Sequence, residues 1–245
     1  FYYDGFSFYE DGYLTNPNLF IAGDVGTGKS ATAKALIRRS RAVFGESRYV
    51  AIMDPKSEYG DLAADMGLTV IKLRPNGTVR INPMDLGRGG DLDEAIMLRQ
   101  QLARQLVSAM LGRQLEAIED AVLDSAVDIL SRSRDRFTLR DLQTAVANPS
   151  DDLVELARRD EIDVARAASP VAFTINKLCD RSLKGMFDGE TNIDIDFQQG
   201  AGVVLDLSEV YDNDEAFPLV MLAATVWLRE ALRNMPGRKS LQVID

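Results

Sequence analysis

Histidine is absent from the 245 residues of this chain, and cysteine occurs once, at Cys179. The lack of histidine excludes a Ser-His-Asp or Cys-His nucleophilic site and any histidine metal ligand. A single cysteine excludes an internal disulfide and a cysteine-rich zinc or iron–sulfur cage. Any chemistry must therefore use carboxylates, lysine, arginine, hydroxyls, backbone amides and a borrowed cofactor or ion. We expect Cys179 to be a core residue, because it lies in an apolar helical segment.

Long apolar runs are also lacking. The longest, residues 219–228, is too short to cross a bilayer and indicates a buried helix. No basic-then-apolar signal peptide opens the chain. Because one cysteine fits a reducing compartment, we expect a cytoplasmic protein. The first residue is Phe1 and a strand-like run stops at Asp245, so we expect an excerpt of a longer polypeptide.

An excess of positive charge is missing as well. The chain has 28 Lys and Arg against 38 Asp and Glu, a net charge of −10, which argues against a protein that coats nucleic acid broadly. One local exception is the segment SRSRDRFTLR, which contains Arg132, Arg134, Arg136, Phe137 and Arg140. Arginines beside an aromatic ring can hold a single strand. The favoured alternative is a solvated turn between two helices, because acidic residues alternate with the arginines.

Alternation of apolar segments predicts an α/β fold with a mainly parallel sheet. In the first part, strands are predicted at 18–23, 49–54 and 68–73, and helices at 29–44 and 57–66. Between residues 91 and 186 apolar residues recur at helical spacing only, which predicts an all-helical insertion. Strands return at 192–197, 202–207 and 240–245, around a helix at 215–234. The predicted organisation is an α/β core in two parts, 1–90 and 187–245, separated by the helical insertion, 91–186.

Residues 23–30, GDVGTGKS, match the phosphate-loop motif G-x-x-x-x-G-K-[ST] between a predicted strand and a predicted helix. Glycines let backbone N–H groups approach polyphosphate oxygens closely, and the helix adds the positive end of its dipole. Lys29 can reach the β- and γ-phosphates, and the Ser30 hydroxyl can ligate Mg²⁺. We therefore predict ATP and Mg²⁺ as cofactors. The predicted cofactor-binding residues are Gly23, Asp24, Val25, Gly26, Thr27, Gly28, Lys29, Ser30 and Ala31.

A GTPase is the rival within the same class of fold. Guanine recognition there uses the motif N-K-x-D. The nearest string, at residues 176–179, is N-K-L-C and lies in a segment with helical character. The motif therefore does not match, and adenine is the favoured base.

Three aspartates end apolar strand-like runs: Asp54, Asp206 and Asp245. In phosphate-loop ATPases an aspartate at such a place organises Mg²⁺, and in many of them a glutamate that polarises the attacking water follows it. Pro55 follows the first candidate and Leu207 the second, so we expect Asp245 to bind Mg²⁺ together with Ser30. The alternative role, a polar strand end in a turn, stays open for Asp54 and is favoured for Asp206.

Beyond the phosphate loop, longer strings resemble one family. The relevant strings are NPNLFIAGDVGTGKS, YVAIMDPKSEYGDLAADMG, VRINPMDLG, FDGETNIDIDF and GVVLDLSEV. They are similar to the ATPase of conjugative DNA transfer and type IV secretion, the TraC-like branch of the FtsK/HerA superfamily. The strings that are specific to this family are D-P-K-x-E-Y and I-N-P-M-D. The helical middle of the chain resembles the family only in being a helical insertion at this place.

This resemblance implies a RecA-like ATPase core that assembles into hexamers at the cytoplasmic face of a membrane-embedded machine. It implies a motor subunit that powers substrate export or pilus assembly, with the other proteins of that machine as partners. Lys29 and Asp245 become catalytic residues, and Glu58 of D-P-K-x-E-Y a candidate near the γ-phosphate. A surface carboxylate at a helix start is an equal alternative for Glu58.

The family's glutamate after the magnesium aspartate has no counterpart in this chain, so we expect weak ATP turnover by the chain alone. Two other functions stay open at this point. One is a nucleotide-dependent scaffold with little turnover, and the other is a DNA translocase of the HerA/FtsK type.

Overall fold

A computed structural model describes residues 4–86, 91–149, 151, 154, 161–195, 197, 199–233 and 237–245. The strands of the described residues are β1 (Arg48–Asp54), β2 (Thr69–Lys72), β3 (Gly202–Asp206) and β4 (Lys239–Ile244). They form one sheet in the order β2-β3-β1-β4, and every neighbouring pair is parallel. Parallel neighbours cannot be joined by tight turns, so helical segments connect them.

The helices of the described residues are α1 (Gly5–Glu10), α2 (Lys29–Phe44), α3 (Gly60–Met66), α4 (Leu92–Leu111), α5 (Ala117–Ser133), α6 (Leu139–Ala147), α7 (Glu161–Lys177) and α8 (Ala216–Arg233). A short 3₁₀ turn, Gly45–Ser47, follows α2, and a π-helical turn, Leu178–Ser182, follows α7. Local sequence explains several starts: Asp91 caps α4, and capping boxes begin α5 and α6.

Side chains of β1 alternate between two apolar layers, as the pleat requires. Tyr49, Ala51 and Met53 belong to the larger layer, which also contains the buried face of α8. Val50 and Ile52 face the smaller layer, together with residues of α2 and α3. The sheet therefore lies between helices on both faces.

The larger apolar layer continues from the sheet into the helices between residues 92 and 182. Leu102 of α4, Leu123 of α5 and Ile175 of α7 are buried in the same cluster as Trp227 of α8. The helical segment and the sheet thus share one continuous core, so loosening one is expected to destabilise the other.

The predicted strand at 18–23 is wrong, although it precedes the phosphate loop as expected. Residues 18–23 pair with no strand of the described chain, and Leu19 and Phe20 are 52% and 90% exposed. An apolar run favours an extended backbone, but a strand also needs the edge of another strand beside it. That pairing depends on contacts far apart in sequence, which the local pattern does not contain.

The predicted strand at 192–197 is also wrong, for a different reason; residue 196 lies outside the described residues. Asn192 uses its side-chain amide to bond the backbone of Thr78 and Arg80, at 2.6 and 2.7 Å. One backbone bond, from the Asn192 N–H to the Arg80 carbonyl at 3.2 Å, accompanies these side-chain bonds, and the described residues of the two segments form no strand ladder. Ile193, Ile195 and Phe197 still pack against the core, so the apolar alternation correctly indicated burial.

Cys179 is 1% exposed, which confirms the expected core position. Burial raises the pKa of its thiol to about 12. The thiolate, which is the reactive form, is therefore scarcely populated near neutral pH. No redox or nucleophilic role follows for this residue.

Candidate nucleotide-binding site

The phosphate-loop sequence forms an exposed loop that leads directly into α2. Gly26 and Gly28 have φ angles of 82° and 88°, in the left-handed region that favours glycine. Gly28 precedes the first helical residue, and its position provides no side-chain cap for α2. The first-turn N–H groups of α2 are therefore available for an anion.

Hydrogen bonds within the loop fix its shape. The Lys29 ammonium donates to the carbonyl oxygens of Gly23 and Asp24, each at 2.9 Å. The Thr27 hydroxyl donates to the same Asp24 carbonyl at 2.8 Å. A side chain at Gly23 would not fit, because its Cβ would lie 2.6 Å from Thr27 Oγ1. The loop therefore curls around its own lysine, and an incoming phosphate would replace carbonyl partners of the ammonium group.

This donor set fits a polyphosphate. Backbone N–H groups and the lysine ammonium are the groups that hold phosphate oxygens in loops of this kind. Ser30 stands in the first turn of α2 and is half-buried, with a hydroxyl suited to Mg²⁺. Ala31 follows it as an exposed residue of the same turn.

The three candidate aspartates lie at one end of the sheet. Asp54 of β1 is paired directly with Asp206 of β3. Ile244 of β4 is paired with Met53, so the next residue, Asp245, reaches the level of Asp54. These are the carboxyl ends of parallel strands, the edge at which open α/β sheets bind their ligands.

Two of these carboxylates hold the turn between β1 and α3. The Asp54 carboxylate accepts hydrogen bonds from the backbone N–H groups of Glu58 and Tyr59, each at 2.9 Å. Asp206 Oδ2 accepts a bond from the Ser57 hydroxyl at 3.0 Å. Both contacts are typical of polar strand ends in turns, the alternative that the sequence left open for these two aspartates.

The third carboxylate contacts the same turn through a side chain. The Tyr59 hydroxyl donates to Asp245 Oδ2 at 2.8 Å. Burial and this bond to Asp245 raise the pKa of Tyr59 above its ordinary value, so the hydroxyl keeps its proton and acts as a donor. The Lys34 ammonium lies 4.9 Å from the centre of the Tyr59 ring. Residues four apart share a helix face, so Ser30 lies on the face of α2 that carries Lys34.

The structure brings the loop residues together around Lys29 and places Glu58 in the turn held by Asp54. The Glu58 side chain is exposed, and its backbone N–H is the group that contacts Asp54. Ser30 and Asp245 offer the oxygen donors that Mg²⁺ prefers. Over the described ranges, three or more acidic or cysteine side chains nowhere gather into a metal cluster.

Tyr59, Lys34 and Ser57 were not anticipated as site residues. For Tyr59 a signal existed, because it is the last letter of the D-P-K-x-E-Y string. Its contact with Asp245 joins residues 186 positions apart, which no local pattern reveals.

The arginine-rich segment does not form a platform for stacking bases. Phe137 is 1% exposed and packs near the Arg99 guanidinium, 5.4 Å from the ring centre. The ion pairs of the segment, at 3.0 to 3.5 Å, join Arg132 to Asp93 and Asp128, Arg134 to Asp141, and Arg140 to Asp180 and Asp188. The segment is thus an ion-paired connection with a buried aromatic anchor, in agreement with the favoured alternative.

None of the described helices combines the length and the apolar character that a membrane span requires.

The chain has the fold of a solved phosphate-loop protein and matches one family model. The chain superimposes on the structure of VirB4 of Thermoanaerobacter pseudethanolicus with a TM-score of 0.72 and 20% sequence identity. The match covers 94% of this chain and 60% of that one, so this chain spans about three fifths of VirB4. The predicted α/β fold, a RecA-like phosphate-loop core with a parallel sheet, is confirmed.

Residues 16–224 match the family model described as "Helicase HerA, central domain". The chain belongs to this family, and the resemblance to the HerA/FtsK superfamily is confirmed. The matched range contains the phosphate loop, the turn with Tyr59 and the helical segment. No curated protein sequence matches the chain.

Proposed function

We propose that this chain is the nucleotide-binding core of an ATP-driven motor, and that residues 23–30 bind the phosphates of MgATP. The observation that carries the proposal is the complete phosphate loop, with Gly26 and Gly28 in the left-handed conformation, at the start of α2. Membership of the HerA family supports it, because the matched range includes this loop.

Each residue of the proposed site has a separate role. Lys29 exchanges its bonds to loop carbonyls for bonds to the β- and γ-phosphates. Ser30 and Asp245 hold Mg²⁺, which supplies charge neutralisation of the phosphate oxygens when it is bound. Glu58, exposed in the turn after β1, is the candidate polar contact for the γ-phosphate. Loop residues Gly23 to Gly28 supply backbone donors, and Ala31 adds its N–H at the helix start.

The proposed setting is a conjugation or type IV secretion machine, in which hexamers of the whole protein power substrate export or pilus assembly. The similarity in fold to VirB4 supports this setting, as do the strings D-P-K-x-E-Y and I-N-P-M-D, which resemble the conjugative ATPase family. We propose the same three-part organisation as above: core residues 1–90 and 187–245, and a helical insertion at 91–186. In that setting the protein works at the cytoplasmic face of the membrane beside the other proteins of the machine.

Release of phosphate from ATP tests the motor proposal. We expect slow, Mg²⁺-dependent hydrolysis by the chain, and its loss in Lys29→Ala. Arg39→Ala is the matched control, because it removes an exposed cation from the same helix outside the loop. Equal hydrolysis by wild type and Lys29→Ala would remove the phosphate loop from the reaction.

Two other functions are distinguished by companion measurements. A nucleotide-dependent scaffold would bind ATP and assemble without measurable turnover, which light scattering with and without ATP would detect. A DNA translocase would show DNA binding that weakens steeply with salt and DNA-stimulated hydrolysis. The net charge of −10 and the ion-paired arginine segment disfavour this last function.

A further inference from the structure

One buried side chain connects three elements around the candidate site. Tyr59 is 0% exposed, and its backbone N–H is held by Asp54 at the end of β1. Its hydroxyl reaches Asp245 after the end of β4. Its ring lies beside Lys34 of α2, the helix that follows the phosphate loop. A shift of any of these elements would therefore be transmitted to the Tyr59 hydroxyl.

We infer that Tyr59 is a positioning residue that fixes the Asp245 carboxylate in the orientation needed to hold Mg²⁺. The inference rests on the proposed function, since it assumes that Asp245 faces a bound magnesium nucleotide. An aspartate side chain can adopt several rotamers, so a partner that holds one of them reduces this freedom. A hydrogen bond to Oδ2 restricts the rotation of the carboxylate and thereby the directions open to Oδ1.

The orientation of the carboxylate matters because Mg²⁺ tolerates little deviation in the placement of its ligands. It requires near-ideal octahedral geometry and gives up its waters reluctantly, so it uses few protein ligands and each must be well placed. Partners that orient a metal-binding carboxylate are correspondingly important, and losing one typically reduces metal affinity by about 10- to 100-fold.

The surroundings of Tyr59 make it a rigid donor. Its ring belongs to the apolar cluster with Ile37 of α2 and Leu62 of α3. The two bonds that the backbone N–H groups of Glu58 and Tyr59 donate to the Asp54 carboxylate fix the backbone there. A packed ring on a fixed backbone keeps its hydroxyl in one place, which a flexible surface donor would not do.

Tyr59→Phe tests this role, because it removes the hydroxyl and keeps the ring. We expect unchanged binding of a fluorescent ATP analogue in excess chelator, where the loop and Lys29 act without metal. The Mg²⁺ concentration that gives half of the metal-dependent increase in affinity should rise by about 10-fold. Tyr211→Phe is the matched control, a partly exposed tyrosine that packs against Phe217, and should leave this concentration unchanged.

A double-mutant cycle sharpens the test. In an Asp245→Asn background, Tyr59→Phe should cause no further change in the Mg²⁺ requirement, because both substitutions act on one ligand. If the two substitutions instead raise the Mg²⁺ requirement independently, so that their factors multiply in the double mutant, the inference is wrong.

Asp54→Asn provides a second route if Tyr59→Phe does not fold. This substitution keeps the Tyr59 hydroxyl but weakens the bonds that fix the Tyr59 backbone. It should therefore raise the Mg²⁺ concentration needed for binding by a smaller factor than Tyr59→Phe does.

The outcomes separate this inference from the proposed function. If wild type binds no nucleotide, the proposed function fails and the inference fails with it. If wild type binds MgATP and Tyr59→Phe has the wild-type Mg²⁺ requirement, the inference alone is wrong. An equal loss of nucleotide affinity with and without Mg²⁺ would also overturn it, because that result indicates a purely structural role.

Discussion

The Lys29 ammonium donates a hydrogen bond of 2.9 Å to the carbonyl oxygen of Gly23, six residues earlier in the chain. The bond closes the phosphate loop on itself and keeps a cation at its centre. Any anion that enters the loop meets this charge together with the first N–H groups of α2. The conformation of the loop is therefore as important for the site as the chemistry of the lysine.

Gly28→Ala should destabilise the protein by about 1–2 kcal/mol, because Gly28 has a φ of 88° that an L side chain rarely adopts. ATP affinity should fall with it, since the loop leads into α2 through this residue. Gly60→Ala is the matched control: it begins α3 without a left-handed φ, and no atom within 4 Å opposes a Cβ. Urea unfolding of both variants measures the difference, and equal stabilities would contradict the conformational argument.

Ser30→Ala should remove the gain in ATP affinity that Mg²⁺ provides, while binding in chelator stays near the wild-type value. The reason is that the hydroxyl is proposed as a metal ligand and the phosphate donors remain. Thr32→Ala is a suitable control, because the Thr32 hydroxyl bonds the Gly28 carbonyl within the helix. Titration of a fluorescent ATP analogue with and without Mg²⁺ decides the matter, and an intact metal effect in Ser30→Ala would refute the assignment.

Phe137→Ala should cost about 3–5 kcal/mol of folding free energy, because the ring is fully buried in the core shared by the helices and the sheet. Phe173→Ala, which truncates a ring that is 66% exposed on α7, should change stability by less than about 0.5 kcal/mol. Denaturant unfolding compares the two. A small effect of Phe137→Ala, accompanied by loss of single-stranded DNA binding, would support the base-stacking function that the structure disfavours.

The protonation of Glu119 makes the folding stability depend on pH. Two 2.7 Å bonds from Arg113 hold the pKa of this buried carboxyl below its ordinary value, although burial opposes them. A lowered folded-state pKa means that the stabilisation is fully present above the unfolded pKa, about 4.3. It is lost as the pH falls through the lower folded-state value.

Glu119→Gln should therefore lower stability by about 2 kcal/mol at neutral pH and make the acid limb of the stability curve shallower. Glu46→Gln removes an exposed carboxylate and should leave that limb as in wild type. Thermal unfolding between pH 3 and pH 7 measures both; identical acid limbs for Glu119→Gln and wild type would show that the bonds from Arg113 add nothing.

Local pattern was sufficient for much of the fold. The helix at residues 29–44 and the strand that ends at Asp54 follow from apolar spacing and from the glycines that precede α2. The pairing of strands was harder to predict from the sequence, because it depends on residues far apart in the chain. Residues 18–23 have the composition of a buried strand, yet Phe20 is exposed. Asn192 joins residues 78 and 80 by two side-chain bonds and one backbone bond, without a strand ladder.

In the candidate site, too, the local features could be predicted from the sequence and the contacts between distant residues could not. The phosphate loop is local, so its sequence predicts a glycine-rich turn with Lys29 at the helix start, and the structure adds the left-handed φ angles of Gly26 and Gly28. The contact of Tyr59 with Asp245 arises only when β1 and β4 lie side by side. Sequence could name Asp245 as a candidate but could not show that Tyr59 contacts it.

Isothermal titration of the chain with ATP in the presence of Mg²⁺ tests the central claim most directly. The account predicts one nucleotide per chain, with binding abolished in Lys29→Ala and retained in Arg39→Ala. Absence of binding to the folded wild-type chain, or undiminished binding to Lys29→Ala, would contradict the assignment of residues 23–30 as a phosphate site.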